Sequence, residues 1–364
     1  MTSNTLLSIA NRDSVSANFA QLQHAHFQAL MDSIWKGKGK DVSWVNHAIL
    51  QPGNVRIYIT ELCNSRCLTC TFWRSKQEVK LDTKTWKDIL CQIRNAGISS
   101  LEFVGGEPTI RPDLPALIRE ARELEFSTIL VSSNGLLLND KSINELIGCG
   151  VNSFHISLDG LRDTYSFVRG GDWFKNALSA ISRIAQAGIP VLVLTNLTRQ
   201  VIDELETLVG IVRGLGASWA VNIIENLKYG FKGVDLVELA ISSKDDIEKV
   251  ISILSRIKQR FSSTCILREV DILYIGDYLA DPQREREVPC SLGFNDIYLD
   301  PRGNVYSACM SMNPVGNVLN TQLVEIIQSG QMKLNLKSML LRQCGGCTCG
   351  YPQRAELMHG RTKL

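Results

Sequence analysis

The chain has 364 residues, and its 39 Lys plus Arg against 37 Asp plus Glu give a net charge of +2. This length accommodates one domain of about 200 to 250 residues together with a smaller module. Because no long run of one charge sign occurs, the composition excludes a basic nucleic-acid footprint and a polybasic membrane patch. Residues 1–14 show no export-signal pattern, and no segment approaches about 18 consecutive apolar residues. We therefore predict a cytoplasmic protein with no nucleic-acid partner and no membrane partner.

The N-terminal segment carries apolar residues at roughly helical intervals, which predicts an amphipathic helix over residues 15–36. From residue 55 onward, short runs rich in Val, Ile and Leu alternate with helical segments. The predicted strands are 55–60, 100–105, 128–133, 152–158, 191–196 and 219–224. The predicted helices are 82–96, 112–124, 140–148, 173–188, 201–214 and 244–262.

This alternation of strands and helices is typical of a parallel sheet with helical crossovers, and therefore of an α/β protein. The pattern alone does not distinguish an open doubly wound sheet from a partial barrel. In both folds, ligands bind at the carboxyl ends of the strands. After the last predicted helix the chain becomes rich in loops and cysteines, so we place a domain boundary between about residues 265 and 285.

The cysteines do not indicate a disulfide framework, because thiols in the cytosol stay reduced. Three of them follow the first predicted strand with the spacing C-x-x-x-C-x-x-C, as Cys63, Cys67 and Cys70. Three thiolates can hold three irons of a 4Fe-4S cube and leave the fourth iron open to an external ligand. The alternatives are a zinc site that lacks its fourth ligand, or three unrelated buried thiols.

The loop ELCNSRCLTCTFW resembles the cluster motif of the radical S-adenosylmethionine (SAM) superfamily, and FVGGEPTI at the end of the second predicted strand agrees with it. In that family the Gly-Gly-Glu-Pro segment, here Gly105, Gly106, Glu107 and Pro108, lets the backbone approach the methionine amino group of the cofactor. The resemblance implies a partial (β/α)6 TIM-like barrel over residues 51–270, preceded by a helical extension over residues 1–50.

Polar residues at the ends of the third and fourth predicted strands resemble the family's contacts to the cofactor ribose and carboxylate: Ser132, Asn134, Ser157 and Asp159. Arg169 matches an arginine that grips the cofactor carboxylate in many members, a role that suits a forked guanidinium. These residues also have simpler interpretations as helix caps, turn residues or a surface salt bridge. Because Thr69 replaces the bulky residue common before the third cysteine, Phe72 or Trp73 is the candidate for the adenine contact.

A second group of cysteines lies near the C-terminus: Cys290, Cys309, Cys344 and Cys347, with Cys349 as an alternative fourth ligand. The segment between the first two predicts a β-hairpin with its turn at residues 302–304. The arrangement resembles the Twitch domain, the shorter relative of the SPASM domain, which holds one auxiliary 4Fe-4S cluster. The resemblance implies a small Twitch-type β-hairpin/helix domain over residues 271–364. A four-cysteine zinc site is the alternative.

Together these resemblances imply a radical SAM oxidoreductase with SAM and two 4Fe-4S clusters, which forms a 5'-deoxyadenosyl radical and abstracts a substrate hydrogen. We predict net oxidation or another modification of a ribosomal peptide or protein residue, with a flavodoxin or ferredoxin as electron donor. The alternatives are a cyclitol or sugar alcohol dehydrogenase or epimerase and, from another class, a non-catalytic iron-sulfur or zinc scaffold. Cys265 is a candidate hydrogen donor to a substrate radical; its simpler interpretation is a packed thiol.

Overall fold

The computed structural model describes residues 31, 33–34, 41–74, 81–224, 238–282, 288–344 and 351–359. Most of the helix predicted over residues 15–36 lies outside these residues, as do Cys347 and Cys349. Within the described part of the chain, no helix has the length and apolar character needed to span a membrane.

Six parallel strands form the main sheet, and each coincides with a predicted strand. They are β1 Asn54–Tyr58, β2 Ser100–Val104, β3 Thr128–Ser133, β4 Ser153–Ser157, β5 Val191–Leu197 and β6 Ser218–Ile223. Every strand pairs in parallel with the next one along the chain. A doubly wound sheet would reverse its strand order at a switch point, whereas a barrel keeps chain order. The sheet has two free ends, so the fold is the predicted partial barrel.

The helices are α1 Thr83–Asn95, α2 Leu114–Glu123, α3 Asp140–Cys149, α4 Arg162–Arg169, α5 Phe174–Gln186, α6 Leu205–Gly214, α7 Lys244–Arg260, α8 Glu269–Ala280, α9 Leu323–Gln328, α10 Gly330–Leu340 and α11 Tyr351–His359. In α1, the Asp82 side chain accepts a hydrogen bond from the Thr85 amide at 2.7 Å, which caps the first turn. Its apolar residues recur at helical intervals and pack on the sheet. Sequence patterning identified α1, α2, α3, α5, α6 and α7, but not α4, α8, α9, α10 or α11.

The C-terminal strands continue the main sheet. β7 Asp296–Leu299 pairs in parallel with β1, and β8 Asn304–Tyr306 folds back on it to form the predicted hairpin. β9 Gly316–Asn317 completes the edge. The Asp300 carboxylate stabilises the turn by accepting hydrogen bonds from the amides of Arg302 and Asn304. The predicted domain boundary between residues 270 and 271 falls inside α8. The division of the chain into two domains stays a prediction.

The inner face of the sheet, opposite the helices, carries polar side chains on its β1 side. Successive side chains of a strand point to opposite faces, so Val55 and Ile57 pack toward the helices and Arg56 lies on the inner face. The Arg56 Nε donates to Glu102 Oε2 at 2.7 Å, and the Ser132 hydroxyl donates to Glu102 Oε1 at 2.5 Å. Three neighbouring strands are therefore joined by one carboxylate.

Asp296, on the same inner face, makes the stability of the fold depend on pH. Burial raises the pKa of this carboxyl to about 6, against the hydrogen bond from Asn295 and the charge of Arg56, which lower it. The folded state therefore binds the proton more tightly than the unfolded state between about pH 4 and pH 6, so this carboxyl lowers stability as the pH rises through that window.

We expect Asp296→Asn to increase the free energy of unfolding by about 1–2 kcal/mol at pH 7 and to have no such effect near pH 4. Urea denaturation at a series of pH values checks this. The control is Asp172→Asn, because Arg162 lowers the pKa of the exposed Asp172 and the pH dependence should have the opposite sign. A gain in stability that does not change with pH would contradict the prediction.

Candidate functional site

The cluster loop, residues 61–71, follows the carboxyl end of β1 and carries the first three cysteines. Cys67 is buried, and Cys63 and Cys70 are half-buried. Burial raises the pKa of Cys63 to about 11, and the neighbouring Cys67 and Cys70 add to this rise, so the three thiols lie within electrostatic range of one another. Among the described residues, no three Cys, His, Asp or Glu side chains can meet at one metal ion. Three neighbouring thiols are the number that a 4Fe-4S cube with one open iron requires, since each thiolate binds its own iron.

Helix α4 holds the cluster loop from one side. The Leu68 amide donates to the Val168 carbonyl at 2.8 Å, and the Arg66 amide donates to the Arg169 carbonyl at 3.3 Å. The chain then turns at Gly170, with φ +75°, where an added Cβ would lie 2.8 Å from the Arg66 carbonyl oxygen. The last turn of α4 is therefore attached to the loop backbone itself.

Arg169 places a buried positive charge beside the cluster loop. Its Nη1 lies 3.5 Å from the Cys67 sulfur, and its Nε forms an ion pair with Asp159 Oδ2 at 2.5 Å. Burial alone would lower the pKa of Arg169, but the Asp159 carboxylate raises it above its usual value, so the guanidinium stays charged. A fixed positive charge therefore lies in contact with the middle cysteine of the cluster loop.

The Asp159 side chain, a predicted cofactor contact, is fully buried and bonded within the protein. It pairs with Arg169 and accepts hydrogen bonds from the backbone amide and the side-chain amide of Asn196, at 2.6 and 3.2 Å. Asp159 therefore positions Arg169 and joins the end of β4 to β5.

The Gly-Gly-Glu segment lies directly against the cluster loop. The Gly106 amide donates to the Thr60 carbonyl at 2.8 Å, and the Glu107 amide donates to the Leu62 carbonyl at 2.7 Å. A Cβ at Gly106 would lie 2.1 Å from the Leu62 carbonyl oxygen, and one at Gly105, with φ +157°, would lie 2.5 Å from the Thr60 carbonyl oxygen. Only glycine allows these two backbones to approach so closely.

The Glu107 side chain is buried and joins the ends of β2 and β3. Its carboxylate accepts hydrogen bonds from the Asn134 amide at 2.7 Å, the Ser133 hydroxyl at 2.8 Å and the Thr109 hydroxyl at 2.6 Å. Burial raises the pKa of Glu107, and these hydrogen bonds oppose the rise. The carboxylate is thus occupied by the protein, which leaves the backbone as the part of this segment that can meet a ligand.

The remaining predicted cofactor residues lie at the same end of the barrel but make different contacts. Asn134 donates to the side chains of Asn64 and Ser65 in the cluster loop, at 2.7 and 3.2 Å. Phe72 stacks on Tyr58, with ring centroids 5.4 Å apart. Ser157 is half-buried at the end of β4, whereas the hydroxyl of Ser132 is bonded to Glu102 on the inner face.

Sequence reasoning missed Glu204, which holds α4 in place. Its carboxylate accepts hydrogen bonds from the Leu161 amide at 2.6 Å and from the Thr164 hydroxyl at 2.7 Å. Leu161, at the N-terminus of α4, has no side-chain cap of its own, so Glu204 supplies the cap from another segment. No local pattern marks this role, because the two partners are separated by 43 residues.

The second group of cysteines is partly described. Cys290 and Cys309 are buried and Cys344 is half-buried. Burial raises the pKa of Cys290 to about 12, and the nearby thiols of Cys344 and Cys309 add to this rise. The hairpin between Cys290 and Cys309 is attached to the first site, because Arg302 in its turn forms an ion pair with Glu61 at the start of the cluster loop, at 2.5 Å.

Cys265 does not lie with either group. It pairs with Trp219 in an isolated parallel bridge at the β6 edge and is 1% exposed. In-register neighbours point to the same face, and Trp219 packs toward the helices, where its indole donates to Thr195. Cys265 therefore packs with Trp219, and its hydrogen-donor role stays a prediction.

Comparison with known proteins assigns a family to the part of the chain that carries the first three cysteines. The profile described as the radical SAM superfamily matches residues 57–210, from β1 into α6. This chain carries a radical SAM domain. The family implies SAM and one 4Fe-4S cluster as cofactors, and the cysteines, the two glycines and the buried Arg169 described above fit such a site.

Relatives of this radical SAM protein match it over most of their length. PqqA peptide cyclase of Streptomyces rochei is 27% identical over 290 residues, which is 77% of this chain and 76% of that protein. The probable GTP 3',8-cyclase of Saccharolobus solfataricus is 27% identical over 305 residues, 79% of this chain and 91% of that protein. Among solved structures, Streptococcus suis SuiB bound to S-adenosylmethionine superimposes with a TM-score of 0.67 at 16% identity, covering 95% of this chain and 82% of SuiB.

We expect Gly106→Ala to destabilise the radical SAM domain by about 1–3 kcal/mol and to reduce its iron content after anaerobic reconstitution, because the new Cβ pushes the Leu62 carbonyl and with it the cluster loop. Gly148→Ala is the matched control, since no atom lies within 4 Å of its Cβ. Full iron retention in Gly106→Ala would show that the close contact is not required.

Removal of the Glu204 cap should also weaken the site from a distance. Glu204→Ala leaves the Leu161 amide unpaired, so we expect a loss of about 1–3 kcal/mol in unfolding free energy, together with faster loss of iron to a chelator. Glu206→Ala, which breaks only the partly exposed pair with Arg256, is the control and should cost less than about 1 kcal/mol. Equal effects of the two substitutions would contradict a special role for Glu204.

Proposed function

We propose that this protein holds a 4Fe-4S cluster on Cys63, Cys67 and Cys70 and uses SAM bound to it to modify a peptide. The bound cofactor supplies a 5'-deoxyadenosyl radical that can remove hydrogen from an unactivated C–H bond. The observation that carries this proposal is the set of three neighbouring thiols at the carboxyl end of β1, with the Arg169 guanidinium 3.5 Å from the middle one. The non-catalytic scaffold is disfavoured, because the glycine contacts and the buried ion pair of the site are intact.

The residues of this chain have distinct tasks in the proposed reaction. Gly105 and Gly106 bring the β2 backbone next to the cluster loop, where it can meet the amino group of the cofactor. Arg169 places its positive charge beside Cys67 and has a second nitrogen available to orient a cofactor carboxylate. Asn134 ties the loop to β3. Ser157 at the end of β4 is the proposed hydroxyl contact, and Phe72 supplies the aromatic surface for the adenine.

We further propose an auxiliary 4Fe-4S cluster on Cys290, Cys309, Cys344 and either Cys347 or Cys349. The mutual influence of the first three thiols supports it. A fully ligated cluster can accept an electron, so removal of a hydrogen atom and then of a second electron and a proton would give net oxidation of the substrate. A flavodoxin or ferredoxin is the proposed source of the electron that starts the reaction, and the cytoplasm is its proposed location.

A peptide is the substrate class best supported. PqqA peptide cyclase matches this chain over most of both sequences, and SuiB, which has the same fold, has been solved with its precursor peptide SuiA. The probable GTP 3',8-cyclase relative makes a nucleotide the second candidate. No structural observation favours the cyclitol or sugar alcohol alternative.

Anaerobic reconstitution tests the proposal directly. We expect about eight irons and eight sulfides per chain, and reductive cleavage of SAM to 5'-deoxyadenosine. Cys67→Ala should abolish cleavage and retain about four irons, Cys290→Ala should retain cleavage with about four irons, and Cys91→Ala on α1 should match the native protein. Bound zinc without SAM cleavage would refute the proposal.

A further inference from the structure

Four ionisable side chains lie on the inner face of the barrel and have no part in the site described above. Arg56, Glu102 and His155 stand on β1, β2 and β4, and Asp296 stands on β7. Barrel interiors are usually filled by branched apolar side chains, so charged groups there need a reason. We call this set, together with Ser132, the inner-face cluster.

Glu102 organises the inner-face cluster and is itself saturated. Its Oε2 accepts from Arg56 Nε at 2.7 Å, its Oε1 accepts from the Ser132 hydroxyl at 2.5 Å, and the same oxygen lies 3.6 Å from His155 Nδ1. Burial alone would raise the pKa of Glu102, but the charge of Arg56 and the contacts with His155 and Ser132 hold it well below its usual value. Glu102 is therefore a fixed anion that orients the Arg56 guanidinium.

Arg56 keeps donor capacity beyond its contact with Glu102. Among the described residues, Glu102 is the hydrogen-bond partner of the Arg56 guanidinium, through Nε, which leaves both Nη groups available. The Arg56 side chain is 37% exposed, whereas that of Glu102 is 14% exposed. A ligand that enters here therefore contacts the Arg56 guanidinium rather than the Glu102 carboxylate. With Glu102 beside Nδ1, the Nε2 of His155 lies on the far side of the ring.

The surroundings of the inner-face cluster suit a carboxylate on an aliphatic stem. Leu192 and Leu194 on β5 and Ala220 on β6 form the opposite, apolar part of the inner face. Tyr298 lies beside Arg56, whose guanidinium carbon is 5.2 Å from the ring centroid, and so fixes the guanidinium plane. Asp296 is a second acid near the cation, and hydrogen bonds from Asn295 and Asn54 occupy it. A forked guanidinium recognises a carboxylate through two parallel hydrogen bonds.

We propose that Arg56, oriented by Glu102, forms a carboxylate subsite inside the barrel that binds an acidic residue of the peptide substrate. This inference rests on the proposed function. The subsite lies on the strands themselves, below the cluster loop, so an acidic side chain anchored there would draw the neighbouring part of the peptide toward the reactive end of the barrel. Glu102 and Ser132 are positioning residues in this arrangement, since they act through Arg56.

Peptide binding to the reconstituted, SAM-loaded full chain tests the subsite. The probes are the capped peptide amides acetyl-Ala-Glu-Ala and acetyl-Ala-Gln-Ala, which differ in one charge, and acetyl-Ala-Ala-Ala with a free C-terminal carboxylate. Dissociation constants come from anaerobic equilibrium dialysis. We expect the Glu peptide to bind about tenfold more tightly than the Gln peptide, the ratio that one charge-assisted hydrogen bond supports. Tight binding of the free-acid peptide instead would support the subsite and assign it to a chain terminus.

Variants separate recognition from folding. Arg56→Gln should abolish the preference for the Glu peptide, and Arg56→Lys should keep part of it. Arg256→Gln, which alters an exposed arginine outside the barrel, is the matched control and should retain it. Equal binding of all three peptides to the native protein, or an unchanged preference in Arg56→Gln, would overturn the proposal. SAM cleavage without peptide is measured in parallel. If the native protein cleaves SAM but shows no preference for the Glu peptide, the carboxylate subsite is refuted and the proposed function is retained.

Discussion

The whole site depends on backbone-to-backbone contact on two sides of the cluster loop. At Gly106 the end of β2 lies so close to the loop that an added Cβ would be 2.1 Å from the Leu62 carbonyl oxygen, and at Gly170 the turn after α4 approaches the Arg66 carbonyl to 2.8 Å. Contacts of this kind leave no room for side-chain rearrangement, because the atoms that meet belong to two rigid elements. The loop is therefore fixed in the barrel before any cofactor binds.

Charge is fixed in the same way. Burying an ion pair costs solvation free energy that the attraction of the two charges offsets only in good geometry. The Asp159–Arg169 pair fulfils this condition, since Asn196 supplies two further hydrogen bonds to the carboxylate. The result is a permanent cation beside the Cys67 sulfur. Removing either partner would leave the other one buried and unpaired, so the pair belongs to the fold as much as to the chemistry.

The C-terminal hairpin links the two groups of cysteines through one continuous sheet. Because β7 pairs with β1, the hairpin is part of the same sheet as the strand that leads into the cluster loop. The Arg302–Glu61 ion pair adds a second link between the two. The separation between the first three cysteines and the buried Cys290 and Cys309 is thus set by rigid strands. A fixed separation is what electron transfer between two clusters would require.

The strands, most of the helices and the three-cysteine loop were predictable from sequence, because the alternation of apolar runs and the cysteine spacing are local patterns. The roles of the polar residues were not. Asp159 and Glu107 are predicted cofactor residues, and in the fold both carboxylates are buried and accept hydrogen bonds from protein donors. Glu204 reaches α4 across 43 residues, and Arg56, Glu102 and His155 come together only when β1, β2 and β4 align in register. Sequence determined which elements form; the tertiary structure decided what each polar group faces, because that depends on contacts between residues far apart in the chain.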